Sequence, residues 1–248
     1  MASLVTGGVI AVVAVIAIGV LYALPPYLKG IESWLMVPDV LLSLDINSDQ
    51  NTLQWCQGIA ELLNENQLKA VVFIPGKVAE QYPDCVRAFN DNVDIGSSTY
   101  SFAKLSSERD YLEMLEDVRR GKAAVDSVAG IDSRLFSAPY GYTDENIYSL
   151  LSRNGIVADF SGSDSYNKYN GTHFISYELK TLDLSKSSVD EIESQIAKKV
   201  SDQIRITADN SVSVGKVTSL IARILEKQEA NFVNASDVTG MKLTVRGE

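Results

Sequence analysis

The sequence predicts an α/β domain, a parallel sheet or barrel with helices outside, placed behind one N-terminal membrane span. Three observations carry this. After residue 39, apolar runs of strand length alternate with amphipathic stretches of helical period, the rhythm of repeated strand–helix units. From 4 to 28 no side chain is charged. Finally, 248 residues at 46% hydrophobic and 22% charged supply enough chain for a sizeable core, which excludes a disordered chain, a collagen-like repeat and a small disulfide-stapled module.

About 20 helical residues cross a hydrocarbon core about 30 Å thick, and 4–24 meets that length. Pro25-Pro26 ends the span, and Tyr22, Tyr27 and Trp34 suit an interfacial belt. A cleaved signal peptide would need a basic start and a shorter apolar run. No Lys or Arg precedes this one. A retained anchor over 1–28 and a juxtamembrane linker over 29–38 are therefore expected, with the bilayer a partner through 4–24. Lys29 is offset by Glu32, so charge does not orient the span. The sequons at Asn170 and Asn234 favour an extracytoplasmic domain, making the protein single-pass. Cys56 and Cys85 fit either an exported disulfide or two buried thiols.

The domain follows from 39 to 248. Residues 40–46 form a buried strand, and Thr52 caps a helix whose apolar face is Leu53, Ile59, Leu62 and Leu63. A strand at 70–74 closes on Pro75-Gly76, and 78–89 suits a helix. After a short strand at 94–96, Ser106 or Ser107 opens a long helix with Leu112, Leu115, Val118 and Val125 on one face. Residues 135–137 are a strand, 146–154 a helix ending at Gly155, and 156–160 a strand followed by a polar loop to Gly171. Then 173–179 alternates as a strand, 189–204 and 216–229 are amphipathic helices, and 232–235 is the closing strand.

Charge and residue supply narrow the chemistry. Lys plus Arg number 22 against 32 Asp plus Glu, a net charge of −10 that repels phosphate backbones and excludes a nucleic-acid partner. His173 is the single histidine, too few for a zinc site of several His and Cys ligands. Asp45-x-Asn47-x-Asp49-x-Asn51 resembles the start of a calcium loop, but Gln50 and Cys56 stand where glycine and glutamate belong. Ordinary strand-to-helix loop chemistry explains it.

Four stretches in order resemble the polysaccharide deacetylase (NodB-homology) family. They are Leu42-Ser43-Leu44-Asp45-Ile46-Asn47, Lys69 to Gly76, Asp94-Ile95-Gly96-Ser97-Ser98-Thr99-Tyr100-Ser101-Phe102, and Phe136-Ser137-Ala138-Pro139-Tyr140-Gly141. The resemblance implies a distorted (β/α) barrel with its site at the strand C-termini, and hydrolysis of N-acetyl groups by a metal held on one Asp and two His. In that pattern Asp45 takes the place of the general base. The ligand positions are Ile46, Ser98 and Phe102, and the Arg that orients the base is replaced by Ser137. A hydrocarbon and a phenyl ring cannot bind a cation, so no metal and no other cofactor is expected and Asp45 is a vestigial base. Ile46 and Phe102 are expected to pack the mouth shut.

The family arrangement also places Cys56 and Cys85 on neighbouring helices, implying a disulfide if the domain is exported. Tyr140, Tyr142 and Tyr166, with Tyr169, either stack on sugar rings or cover the barrel end. Two functions remain. One is a membrane-anchored, noncatalytic deacetylase-like subunit of a membrane or envelope complex, its anchor glycines Gly7, Gly8 and Gly19 permitting close helix contact. The other is a cell-surface glycan binder or residual carbohydrate esterase.

Overall fold

The computed structural model of the protein describes residues 37–47 and 51–246. The span expected at 4–24 and the linker up to 36 lie outside the described residues, as do Asp49 and Gln50 of the calcium-like loop. Among the described residues, no helix is long and apolar enough to cross a membrane.

β1 (Asp39–Asp45) is the axis of the fold. It runs parallel to β2 (Ala70–Ile74) on one side and to β10 (Gln203–Asp209) on the other, while β11 (Asn231–Val233) pairs with its first residues. From β2 the sheet continues through β3 (Val93–Ser97), β5 (Leu135–Phe136) and β6 (Ala158–Asp159) to the antiparallel strands β7 (Ser165–Tyr169) and β8 (Phe174–Glu178). Beyond β10 lies β9 (Lys180–Asp183). The order is therefore β8-β7-β6-β5-β3-β2-β1-β10-β9. Its two ends are separated in sequence by Leu179 alone, whose N–H donates to the Asp164 carbonyl at 3.1 Å. The sheet thus curls into a nearly closed barrel. A small antiparallel pair, β4 (Ile131–Ser133) with β12 (Thr244–Arg246), stands apart.

Strand period decides what faces inward. In β1, Val40, Leu42 and Leu44 pack against the outer helices, whereas Leu41 joins Phe73, Leu135, Phe160 and Tyr166 inside. Side chains alternate across a strand, so Ser43 and Asp45 share the inner row with Leu41. The register pairs Leu41, Ser43 and Asp45 with Arg205, Thr207 and Asp209 of β10, whose Ile204, Ile206 and Ala208 pack outward. The interior is thus apolar at the start of the strands and polar at their ends. On β3, Gly96 leaves room for Phe73, since an added Cβ would lie 2.5 Å from its ring.

The outer layer comprises α1 (Thr52–Glu65), α2 (Gly76–Gln81), α3 (Pro83–Arg87), α4 (Tyr111–Ala129), α5 (Glu145–Arg153), α6 (Val189–Ala197), α7 (Val214–Lys227) and α8 (Ala235–Thr239). Cys56 of α1 and Cys85 of α3 form a disulfide, with Cα atoms 5.2 Å apart. Gly121 of α4 lies against the cleft wall so closely that a Cβ there would meet the Ser98 carbonyl at 2.3 Å.

Several elements differ from the sequence reading. The helix expected over 78–89 breaks into α2 and α3, because Pro83 cannot donate within a continuing helix and starts the second one. α4 opens at Tyr111, capped by Asp110, whose carboxylate accepts the Leu112 and Glu113 amides at 2.9 and 3.0 Å. Leu112 is 68% exposed, and the buried face is Met114, Val118, Gly121, Ala124 and Val125. The polar loop before Gly171 contains β7. Most consequential, the helix expected over 189–204 stops at Ala197, Lys199 turns at φ 49°, and β10 begins at Gln203.

Candidate functional site

At the C-terminal ends of β1, β10 and β9 the chain places Asp45, Asp209 and Asp183 side by side, with Arg205 one inward step below Thr207. They face a cleft of about 460 Å³ whose far wall carries Ser98, Phe102, Ser137 and Tyr140. The loops behind the carboxylates are tied together. The Asn47 amide donates to Asn210 Oδ1 at 2.9 Å, Asn210 Nδ2 donates back to the Asn47 carbonyl at 3.1 Å, and Trp55 Nε1 donates to the Val212 carbonyl at 2.7 Å.

Asp45 keeps part of its surface open to the cleft and is otherwise ringed by protein. Desolvation pushes its pKa up from 3.8 to about 6, against the charge of Arg205 and a hydrogen bond from Ser137 Oγ at 3.2 Å. Asp209 and Asp183 push the same way. Arg205, 4% exposed, is pinned by donating from Nη1 to the Phe160 carbonyl and from Nη2 to the Gly162 carbonyl, each at 2.5 Å. Its Nε–H has no acceptor. Burial lowers its pKa, opposed by Asp45, Asp159 and Asp164.

Asp159, fully buried, accepts from the Ser161 amide at 3.1 Å, the Ser161 hydroxyl, and Asn167 Nδ2 at 3.4 Å. Burial nonetheless raises its pKa to about 6. Asp183 behaves oppositely. Burial is the largest single influence, but Lys186 at 2.7 Å and Ser185 together outweigh it and hold the carboxyl below its usual range. Asp209 Oδ1 accepts from the Ser211 amide at 2.9 Å.

Asp45, Ser98, Phe102 and Ser137, distant in sequence, converge on this one cleft. Its mouth is not packed shut. Ile46 is turned into the core at 1% exposure, and Phe102 leans on Tyr140 at 5.7 Å between ring centroids, so the two apolar side chains line the opening without meeting across it. A divalent ion of the Asp–His–His kind does not fit these residues. Ile46 and Phe102 offer no donor atom, Ser98 offers a neutral hydroxyl, and no three His, Cys, Asp or Glu among the described residues are placed to hold a metal.

The tyrosines separate. Tyr140, 74% exposed, stands at the rim. Tyr166 is buried, stacked between Phe160 and Tyr177, and cannot reach a ligand; its alternation in β7 turns it inward. Tyr142 is occupied away from the cleft, its hydroxyl donating to Asp144 at 3.1 Å, and Tyr169 packs on Phe174. His173 is exposed in the β7–β8 turn, its amide bonded to Asn170 Oδ1 at 3.0 Å, and does not line the cleft. Asn170 is exposed in that turn, and Asn234 caps α8 by accepting from the Asp237 amide at 2.9 Å. Arg205, Asp183 and Asp209 escaped the sequence reading. The alternation Ile204-Arg205-Ile206-Thr207-Ala208-Asp209 is the pattern that marks Arg205 and Asp209.

The chain is thus a curled sheet of strand–helix units, open at its strand C-termini onto a polar cleft. Residues 38–158 match the family model described as polysaccharide deacetylase, so this stretch is a polysaccharide deacetylase-type domain. No curated protein matches it significantly. Among solved structures, it is similar to a family 4 carbohydrate esterase from Streptomyces lividans in complex with acetate, at 20% identity and TM-score 0.59, covering 79% of this chain and 91% of that one. Peptidoglycan deacetylase from Bacillus subtilis is 16% identical with TM-score 0.61, over 82% and 91%. A wild-type CE4 family pseudoenzyme from Bacillus anthracis is 13% identical with TM-score 0.59, over 81% and 65%. At these identities the likeness is one of fold.

Proposed function

We propose that the protein is a non-hydrolytic glycan-binding member of this family, anchored in a membrane by 4–24 and displaying its domain outside the cytoplasm. The observation that carries the reading is the open polar cleft whose metal-ligand positions are Ile46, Ser98 and Phe102. The family's water-activating metal has no seat on those side chains, while hydroxyls, carboxylates and the Phe102–Tyr140 pair remain to hold a sugar. Structural neighbours named as peptidoglycan and N-acetylglucosamine deacetylases point to amino-sugar polymers as the ligand class. A purely scaffolding role explains an open cleft less well, although the anchor leaves association with other membrane or envelope proteins part of the proposal.

Calorimetric titration of the full-length chain with N-acetylglucosamine and glucosamine oligomers tests it, alongside acetate release with added zinc, cobalt or manganese. Binding without acetate release supports the reading. Chelator-sensitive acetate release, or no binding of either oligomer at millimolar concentration, overturns it.

A further inference from the structure

The charges around the cleft do not balance. Arg205 is acted on by Asp45, Asp159 and Asp164, Lys186 by Asp183 and Asp209, and Lys180 pairs with Asp164 at 3.4 Å, so five carboxylates share three cations. All three cations are already engaged. Arg205 is fixed on two backbone carbonyls, and Lys186 is paired with Asp183. Among the described residues, no lysine or arginine forms a salt bridge with Asp45 or Asp209. These two carboxylates stand directly opposite each other across β1 and β10, at the cleft surface. Like charges so placed repel, and a ligand that brings positive charge between them relieves both.

A second feature of the same cleft concerns a different group. Arg205 is 96% buried, counting from its 4% exposure, and its Nε–H still lacks an acceptor. Buried donors are nearly always satisfied, so an orphan one in a cleft wall marks a place for an oxygen from outside the chain. The rim adds Tyr140, 74% exposed, whose ring face suits a pyranose C–H surface. A ligand with hydroxyl oxygens, a ring face and a positive charge answers all three.

We infer that the cleft selects amino sugars with free ammonium groups, the deacetylated forms of a glucosamine polymer, over their N-acetylated counterparts. This rests on the glycan-binding reading and sharpens it: the domain recognises the product of deacetylation instead of its substrate. The ammonium donates hydrogen bonds to the Asp209 and Asp45 carboxylates, and an N-acetyl group, neutral and without those donors, cannot.

The test titrates the full-length chain with a glucosamine tetramer and, separately, with the N-acetylglucosamine tetramer. The free-amine tetramer is expected to bind about tenfold more tightly, the effect of one charge-assisted hydrogen bond, with a preference that shrinks as salt rises. Asp209→Asn should bring the two affinities together by weakening the free-amine tetramer more than the N-acetylated one. Asp45→Asn gives an independent second variant, and circular dichroism checks that both are folded. Equal binding of the two tetramers, or tighter binding of the acetylated one, overturns the charge inference and leaves the glycan reading standing. Failure of both tetramers to bind at millimolar concentration removes the glycan reading and this inference together.

Discussion

Replacing Arg205 with methionine should be among the most damaging single changes in the domain, and its effect should depend on pH. The side chain is 4% exposed, and methionine fills much of its volume without its charge. Two backbone carbonyls, of Phe160 and Gly162, lose donors held at 2.5 Å, and Asp45 and Asp159 lose the positive charge that offsets their burial. Each charged-donor bond contributes about 1.5–3 kcal/mol, and breaking one partner from a buried ionic group costs about 3–5 kcal/mol net. A domain stable by about 5–15 kcal/mol would survive that, with little to spare.

The pH dependence follows from the carboxylates. Asp159 has a pKa of about 6 in the fold against 3.8 for its ordinary value, so the folded chain binds more protons between those limits. The stability from that extra proton is fully present below 3.8 and lost as pH rises through 6, which amounts to about 3 kcal/mol for Asp159. Without Arg205 both carboxylates move higher still, and the loss steepens. Urea unfolding of wild type and Arg205→Met should therefore differ by about 3–5 kcal/mol at pH 8 and by at least about 1 kcal/mol less at pH 5. A difference under about 1 kcal/mol at pH 8, or the same difference at both pH values, would refute the assignment of Arg205 as the internal counter-charge.

Asp45→Asn should stabilise the fold by about 1–2 kcal/mol at pH 8 and flatten the pH profile, since it removes the charge that Asp45 carries at that pH against the cost of its burial and keeps the Ser137 bond to Oδ1; destabilisation in urea would contradict this. Tyr140→Ala should change the midpoint of unfolding by less than about 0.5 kcal/mol while weakening sugar binding, whereas Tyr166→Ala, emptying a buried stack, should cost about 3–4 kcal/mol. Gly121→Ala should cost about 2–3 kcal/mol by forcing α4 away from the Ser98 carbonyl, and thermal denaturation reads it directly.

What could be read in advance was local. Residues 70–74 declared a strand because five consecutive apolar residues between a lysine and Pro75-Gly76 leave little else to form, and that strand is β2. The four stretches carrying the family resemblance kept their order, and with it the placing of Asp45, Ser98, Phe102 and Ser137 around one opening. Beyond 160 the local signals are weaker. The stretch 189–204 has apolar residues that suit a helix up to Ile196, and nothing short-range says that Ile204 begins a new period of two.

The sequence by itself determined the fold family, the shortage of metal ligands and the excess of negative charge, because each is a property of residue identity and order. Tertiary structure alone decided that the mouth stays open, that Tyr166 is core and Tyr140 rim, and that Arg205 and Asp209 sit beside Asp45 across 160 residues of chain or more. The physical reason lies in strand pairing. A register of two neighbouring strands places side chains a few ångströms apart whatever their separation along the chain, and it depends on long-range burial that no window of sequence contains.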